Sequence, residues 1–250
     1  MTPPVVLTIA GSDPCAGAGI QADLKTFGAL GVYGVSVITA LTAQNSHGVT
    51  TVASVPPHLV AAQLDAVLDD LEVIAVKVGM LATVRIAALI ADRALPNVVL
   101  DPVLCSSSGH VLGDRQAVEL LLPYARVVTP NRAEATALTG HTDPVRAAQA
   151  LAGKGVRHVV VTGSDAACDV VWSDGGPATL TGQRIDTRNT HGTGCTFSSA
   201  LAARLAYGDE VPDAVARAKE YVTGALCGSV GWTLGGGPGP LDHFWLGEST

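Results

Sequence analysis

Short aliphatic runs alternate along the chain with stretches of helical periodicity, and this alternation constrains the fold more than any other feature. Each run stops at glycine or at polar residues, as buried strands of a parallel sheet do. The runs are Val5–Ala10, Val35–Ala43, Val73–Val78, Asn97–Leu100, Ala125–Thr129 and His158–Gly163. Because the intervening segments are long enough for crossover helices, the chain is predicted to form a doubly wound, mostly parallel central sheet flanked by helices, an α/β fold.

Weaker strand patterns predict a small ribbon or flap at the sheet edges. Val49–Val55 alternates loosely and is interpreted as an edge strand or a flap. Cys168–Trp172 and Ala178–Thr181 flank the turn Asp174–Gly176, which indicates an antiparallel pair. No repeat or linker interrupts the pattern, so residues 1–250 are expected to form a single domain.

Composition excludes several classes of protein. The net charge of −7 leaves no basic stripe for nucleic acid. No apolar run approaches the ~18 residues of a membrane span, and the N-terminus lacks the charged region of a signal peptide. The five cysteines show no CxxC spacing, so neither a zinc site nor a disulfide framework is predicted. We therefore expect a cytoplasmic protein that binds neither nucleic acid nor membranes.

The segment Thr190–Thr196 is predicted to bind a phosphate. Gly192 and Gly194 flank Thr193 and remove the Cβ atoms that would keep an anion from the backbone, while the helix that follows supplies free N–H groups. Cys195 falls in the first turn of that helix, whose dipole contributes up to ~2 kcal/mol. That effect would lower the thiol pKa from ~8.5 towards ~7. The alternative is that Cys195 is a small buried hydrophobic residue.

Five other residues lie at strand ends or helix starts, where α/β proteins bind ligands. The Gln44 amide suits two-point pairing with an amino-heterocycle, or it is an ordinary turn amide. Met80 contacts a flat ring, or it fills the core. Asp101 and Glu134 form a magnesium pair, or they cap the succeeding turn and helix. Asp23 faces a ligand, or it only counters a helix dipole. A further polar segment, residues 105–110, is of the kind that folds over a bound substrate.

Three stretches together resemble the hydroxymethylpyrimidine/phosphomethylpyrimidine kinases of thiamine biosynthesis, in the ribokinase-like superfamily. They are Ala10–Asn45, Val99–Val103 with Thr129–Ala135, and Asn189–Ala203. The resemblance implies a ribokinase-like fold, usually a homodimer. It also implies that ATP with Mg²⁺ phosphorylates the hydroxymethyl group of 4-amino-5-hydroxymethyl-2-methylpyrimidine, and then the monophosphate to give the pyrophosphate.

The resemblance also implies roles for individual residues. Gln44 is expected to bind the ring nitrogen and amino group of the pyrimidine, in a pocket lined by Gly11, Asp23, Met80 and Val103. Cys195 stands where most ribokinase-like enzymes have an aspartate as the base. The expected anion hole is Gly192, Thr193 and Gly194; the expected Mg²⁺ ligands are Asp101 and Glu134; and the expected ATP contacts are Asn131, Thr162, Gly163 and Thr190.

The chain departs from the family pattern at two phosphate-site lysines. The usual Ala-Lys-Ser-Gly is replaced by Ser106–Gly109, and the usual Val-Lys-Gly-Gly-His by Val161–Asp165. Losing such a cation is expected to remove a few kcal/mol of transition-state stabilisation, by analogy with an oxyanion-hole donor (~2.7–4 kcal/mol). Sugar kinases of the superfamily have a threonine-rich strand end at the second position, so activity is still expected. The second phosphorylation is expected to suffer more.

Three alternative functions remain at this point. Pyridoxal kinase is the nearest, because pyridoxal also presents a hydroxymethyl group beside a flat ring; Gln44 and Met80 favour the pyrimidine. A non-catalytic protein that binds a pyrimidine or pyridoxal phosphate would explain the missing lysines. A cysteine hydrolase using Cys195 and His191 is disfavoured, because side chains four residues apart across a Gly-Thr-Gly turn need not meet.

Overall fold

The computed structural model describes residues 2–106, 109–163 and 168–247, and within them one sheet of nine strands is flanked by eight α-helices. The strands are β1 (Val5–Ser12), β2 (Tyr33–Asn45), β3 (Gly48–Ser54), β4 (Val73–Val78), β5 (Val98–Leu100), β6 (Val127–Val128), β7 (His158–Val161), β8 (Cys168–Ser173) and β9 (Gly176–Thr181). The helices are α1 (Gly19–Ala29), α2 (Pro57–Leu68), α3 (Val84–Ala91), α4 (Arg115–Leu121), α5 (Arg132–Thr139), α6 (Pro144–Ala152), α7 (Thr193–Ala206) and α8 (Val211–Gly228).

The sheet has the order β3-β2-β1-β4-β5-β6-β7-β8-β9. The six strands from β2 to β7 in this order are parallel, whereas β3, β8 and β9 pair antiparallel at the two edges. The predicted parallel sheet and its edge strands are thus confirmed. The strand β2 is longer than the aliphatic run indicated, because its pairing with β3 continues past the run through Gln44 and Asn45.

The helices cover both faces of the sheet, and the alternation of side chains along each strand supplies both cores. On β1, for example, Leu7 and Ile9 belong to the core that includes residues of helices α2 to α6, whereas Val6 belongs to the core that includes residues of α1, α7 and α8. Because both faces are buried, the parallel strands read as continuous aliphatic runs rather than as alternating patterns. No helix in the described ranges is long and apolar enough to cross a membrane.

Helix α7 is the central helix of its layer. It contacts α1, α8 and three strands, so it is buried on nearly every side. Small residues such as Ala200, Ala202 and Ala203 permit this close approach. The packing fixes the N-terminus of α7 at the carboxyl edge of the sheet, beside the residues that follow β1, β4, β5 and β6.

Candidate active site

A cavity open to solvent lies between the carboxyl edge of the sheet and the start of α7, with about 870 Å³ of space when the open solvent at its mouth is included. Its walls come from segments that the sequence places far apart: the ends of β1 and β2, the residues after β4 to β7, and the first turn of α7. The predicted site residues that line it are Gly11, Gln44, Met80, Asp101, Val103, Asn131, Glu134, Thr162, Gly192, Gly194 and Cys195.

Four predicted site residues do not line this cavity. Asp23 is completely buried in α1, and its carboxylate is engaged by other side chains, so the expectation that it lines the pyrimidine pocket is wrong. Thr193 donates its hydroxyl to the Thr190 carbonyl at 2.7 Å, which keeps both residues at the outside of the turn. The Gly163 amide donates to Asp169 rather than facing the cavity.

The start of α7 has the features of an anion-binding turn. Gly192 adopts a left-handed φ of 84°, and a Cβ there would overlap the Gly17 carbonyl oxygen, so only glycine fits. The Thr196 amide makes the first helical bond, to the Gly192 carbonyl at 2.8 Å. The amides of Gly194 and Cys195 have no acceptor in the described parts of the chain. Two free N–H groups therefore stand at the positive end of a 14-residue helix, where an anion is favoured.

A buried charge network lies beneath the cavity. Lys77 Nζ is 3.0 Å from both carboxylate oxygens of Asp23 and 3.6 Å from Asp101 Oδ2. Asp23 also accepts hydrogen bonds of 2.6 Å from the hydroxyls of Thr8 and Ser199. Burial opposes the charged form of Lys77, but the nearby acidic groups outweigh it and raise its pKa, so the ammonium is retained.

Sequence reasoning missed Lys77, although a signal was present. A lysine inside a buried aliphatic strand has to be paired, because an isolated buried charge is strongly unfavourable. Its partner Asp23 was singled out for a different role. The structure shows that this aspartate is the counter-ion that allows a charged lysine to reach the cavity floor.

Cys195 lies between these charges, and its thiol is protonated at neutral pH. Burial raises its pKa to about 12, and the carboxylates of Asp101 and Asp23 act in the same direction. Lys77 and the Gly19 amide oppose the rise without cancelling it. The expectation of a pKa near 7 is therefore wrong, because the effect of the helix dipole is smaller than those of burial and of two carboxylates.

Asp101 and Glu134 line the same cavity and repel each other. Burial raises the pKa of Glu134 to about 8, and the Asp101 charge adds to the shift. Burial likewise raises the pKa of Asp101, against the nearby Lys77 ammonium.

Glu134 also forms a capping box with Asn131 at the start of α5, so the structural role considered from the sequence is present too. A cation between the two carboxylates would relieve their repulsion, so the pair fits Mg²⁺, which needs only one or two carboxylates beside phosphate oxygens. The described residues contain no cluster of three or more His, Cys, Asp or Glu side chains suited to a metal.

A second polar group, not predicted from the sequence, joins the loop after β1 to the start of α7. His191 Nε2 lies 2.9 Å from Asp13 Oδ2 and 3.3 Å from Gln44 Nε2. Burial raises the pKa of Asp13, but the His191 contact and the amides of Cys15 and Ala18 outweigh it and lower the pKa overall. The His191 Nε2–H donates to the Asp13 carboxylate, and the pair lies beside the Gln44 amide at one end of the cavity. The His191 imidazole contacts Asp13 and Gln44 through Nε2 rather than Cys195, which argues against a Cys-His hydrolase.

The polar segment 105–110 begins beside the cavity. Cys105 and Ser106 line the cavity, and Cys105 pairs with Val111 in a short antiparallel bridge. Ser107 and Ser108 of this proposed cover lie outside the described residues, as do Ser164 and Asp165 in the second of the lysine-less stretches.

The fold and the cavity define a class of protein: a doubly wound α/β enzyme with an anion-binding helix start facing paired carboxylates, as phosphoryl transfer requires. The family model for phosphomethylpyrimidine kinase matches residues 13–242. A hydroxymethylpyrimidine/phosphomethylpyrimidine kinase from Streptomyces coelicolor is 49% identical over 265 residues, covering 99% of this chain and 97% of its own. The chain belongs to the phosphomethylpyrimidine kinase family and is a kinase, which confirms the resemblance noted in the sequence.

Solved structures agree with this assignment. A Bacillus subtilis pyridoxal kinase in complex with ADP is similar with a TM-score of 0.88 at 38% identity, over 98% of this chain and 99% of its own. A phosphomethylpyrimidine kinase from Clostridium difficile has a TM-score of 0.78 at 37% identity, over 89% of this chain and 99% of its own. The ribokinase-like fold expected from the sequence is thereby confirmed.

Proposed function

We propose that this kinase transfers the terminal phosphoryl group of ATP to the hydroxymethyl group of 4-amino-5-hydroxymethyl-2-methylpyrimidine, and then to the monophosphate, in thiamine biosynthesis. One observation carries the proposal: the Gln44 amide and the Met80 thioether, which suit a flat amino-heterocycle, line the same cavity as the free amides of Gly194 and Cys195. The family membership supplies the substrate class.

The acceptor lies at the end of the cavity formed by Gln44, Gly11, Met80 and Val103. The Gln44 amide offers both a donor and an acceptor to the ring nitrogen and the exocyclic amino group. The Met80 thioether packs against the face of the ring, and the absence of a side chain at Gly11 leaves room beside it.

The free amides of Gly194 and Cys195 stabilise the phosphoryl group as it moves. Phosphoryl transfer has a loose transition state, so positioning and charge neutralisation contribute more than a strong base. Cys195, protonated before substrate binds, orients the hydroxyl; after its thiol proton is lost to solvent, the thiolate takes the alcohol proton as the phosphoryl group arrives. The Lys77 ammonium, whose charge favours the thiolate, stabilises the intervening negative charge.

Magnesium and the nucleotide complete the proposed site. Asp101 and Glu134 would hold Mg²⁺, which when bound neutralises phosphate charge. Asn131 and Thr162, which line the cavity, form its nucleotide end, and Gly163 follows Thr162 outside the cavity wall. Thr190 and Thr193 support the anion-binding turn from outside, through their mutual hydrogen bond. We also propose, from the family resemblance, that the protein is a cytoplasmic homodimer.

The test is an ATP-coupled assay with the pyrimidine alcohol, its monophosphate and pyridoxal as separate acceptors, with the products weighed by mass spectrometry. We expect one and then two phosphates to be added to the pyrimidine. Cys195→Ala should abolish transfer while acceptor affinity stays within about tenfold, a difference of ~1.4 kcal/mol. Near-normal turnover of this variant would reject the cysteine as the proton acceptor.

Pyridoxal phosphorylation is the second candidate, because structurally similar proteins include pyridoxal kinases from Bacillus subtilis and Staphylococcus aureus. A far higher kcat/KM for pyridoxal than for the pyrimidine would make it the principal activity. Tight acceptor binding without ATP consumption at any Mg²⁺ concentration would indicate a non-catalytic binding protein instead.

A further inference from the structure

The proposed nucleotide end of the cavity lacks both phosphate-site lysines of the family, and the lysines that the chain does have are engaged elsewhere. Lys77 is paired with Asp23 and Asp101 below the cavity. The others make polar contacts of 2.6–3.4 Å: Lys25 with the Ala16 carbonyl, Lys154 with Glu119, and Lys219 with Asp169. A polyphosphate carries several negative charges, so another cation is needed close to it.

Arg132 lies at the required place. It is the first residue of α5, directly after Asn131, and Glu134 follows two residues later. Asn131 forms a bridge with Thr162, and all three of these neighbours line the cavity. The Arg132 guanidinium lies against Gly163, where a Cβ would be 3.3 Å from Nη2 and 3.4 Å from Nε. The side chain is thus placed over the Thr162–Gly163 backbone, at the rim of the cavity.

The guanidinium is also uncommitted. Within residues 2–106, 109–163 and 168–247, its nitrogen atoms make no hydrogen bond and no ion pair, although other arginines such as Arg93, Arg115 and Arg204 pair with carboxylates. A cation at the first position of a helix interacts unfavourably with the positive end of the helix dipole. Its position is therefore not explained by local stability, and a bound anion would compensate for it.

The backbone beside Arg132 is anchored by a hydrogen bond and an ion pair. Asp169 accepts the Gly163 amide at 2.9 Å and the Lys219 ammonium at 2.6 Å, and both Asp169 and Lys219 are largely buried. A Cβ at Gly163 would overlap the Cys168 carbonyl oxygen, so this surface stays flat. The Asp169–Lys219 ion pair thus helps to hold the Gly163 backbone against which the guanidinium lies. The planar guanidinium can present two N–H groups to neighbouring phosphate oxygens.

We infer that Arg132 binds the polyphosphate of the nucleotide, in the role that lysine has elsewhere in the family. This inference rests on the proposed function, because it takes ATP as the donor. Arg132, at the start of α5, would replace the positive charge of the lysine that is missing after β7. Arg132 contacts the substrate's phosphates and is therefore a phosphate-binding residue rather than a structural one.

The test compares Arg132→Ala and Arg132→Gln with Arg146→Ala, which removes an exposed arginine from the neighbouring helix α6. Calorimetry with ADP and with adenosine, and the KM for ATP, are measured for each full-length protein. We expect both Arg132 variants to bind ADP at least roughly tenfold more weakly and to show a smaller dependence of log Kd on log salt concentration. Their affinities for adenosine and for the pyrimidine should stay within about twofold of those of the unmodified protein. Arg146→Ala should change neither the affinity for ADP nor its salt dependence.

The outcomes separate this inference from the proposed function. Unchanged ADP affinity and salt dependence in both Arg132 variants, with turnover of the pyrimidine by the unmodified protein, would overturn the inference and leave the function standing. Weakened ADP binding without turnover of any acceptor by the unmodified protein would support the phosphate-binding role and overturn the function. Equal losses for ADP and adenosine would show a structural effect and also overturn the inference.

Discussion

Replacing Lys77 by methionine removes the only cation that the described structure places among the buried carboxylates below the cavity. The side chains of Lys77 and Asp23 are both 0% exposed, so neither water nor salt can compensate for the loss. Removing one partner of a buried pair leaves the other charge uncompensated, which costs ~3–5 kcal/mol. Since a domain of this kind is stabilised by only ~5–15 kcal/mol, the effect is large relative to the total.

The loss should depend on pH in a defined direction. Burial already raises the pKa of Asp101 against the nearby Lys77 ammonium, so without that ammonium the folded-state pKa of Asp101 lies further above its unfolded value of ~3.9. The folded variant then binds a proton that the unfolded chain releases, so its stability falls as pH rises above that value. We therefore expect Lys77→Met to lose more stability relative to the unmodified protein at pH 8 than at pH 5.

Urea denaturation at the two pH values measures the effect, with midpoint and slope fitted separately. Lys154→Met is the matched control, because Lys154 is partly exposed and its removal should cost only ~0–1 kcal/mol. The double variant Asp23→Asn/Lys77→Met should lose less than the sum of its single changes, by ~1 kcal/mol or more. If Lys77→Met costs no more than Lys154→Met at pH 8, the buried network does not have the energetic role deduced from its geometry.

Three further predictions concern the cavity itself. Gly192→Ala should lower kcat at least roughly tenfold and reduce the Tm, because the added Cβ strains the turn. Gly194→Ala, whose Cβ meets no atom within 4 Å, should leave the Tm within about 2 °C. Thermal melts and turnover assays measure these effects, and equal Tm values for the two variants would contradict the strain argument. At pH 8, iodoacetamide should alkylate Cys195 far more slowly than the exposed Cys105. Alkylation of Cys195 should become faster as pH rises towards about 12, because only the thiolate reacts. Peptide mass spectrometry measures the labelling, and rapid labelling of Cys195 at pH 7 would contradict its raised pKa. Gln44→Leu should weaken pyrimidine binding roughly tenfold and leave the KM for ATP unchanged; an unaltered acceptor Kd contradicts the two-point contact.

Much of the architecture could be predicted because it depends on local patterns. Aliphatic runs ending at Gly11, Asp101 and Thr129 indicated parallel strands, and their polar endings indicated the edge at which ligands bind. The glycines around Thr193 predicted an anion-binding turn; in the described residues the free amides there are those of Gly194 and Cys195, because the Thr193 amide donates to the Thr190 carbonyl. The prediction of the fold held because it requires only the order of residues along the chain.

The electrostatics of the site could not be predicted in this way. Lys77 and Asp23 are 54 residues apart, and His191 and Asp13 are 178 apart, so only the packed fold brings each pair together. The same packing raises the pKa of Cys195, whose local sequence favours a thiolate. The sequence by itself determined the order of strands and helices and the edge of the sheet that forms the cavity. Tertiary structure alone decided which charges meet there, because burial and Coulomb interactions depend on distances through space and not on separation along the chain.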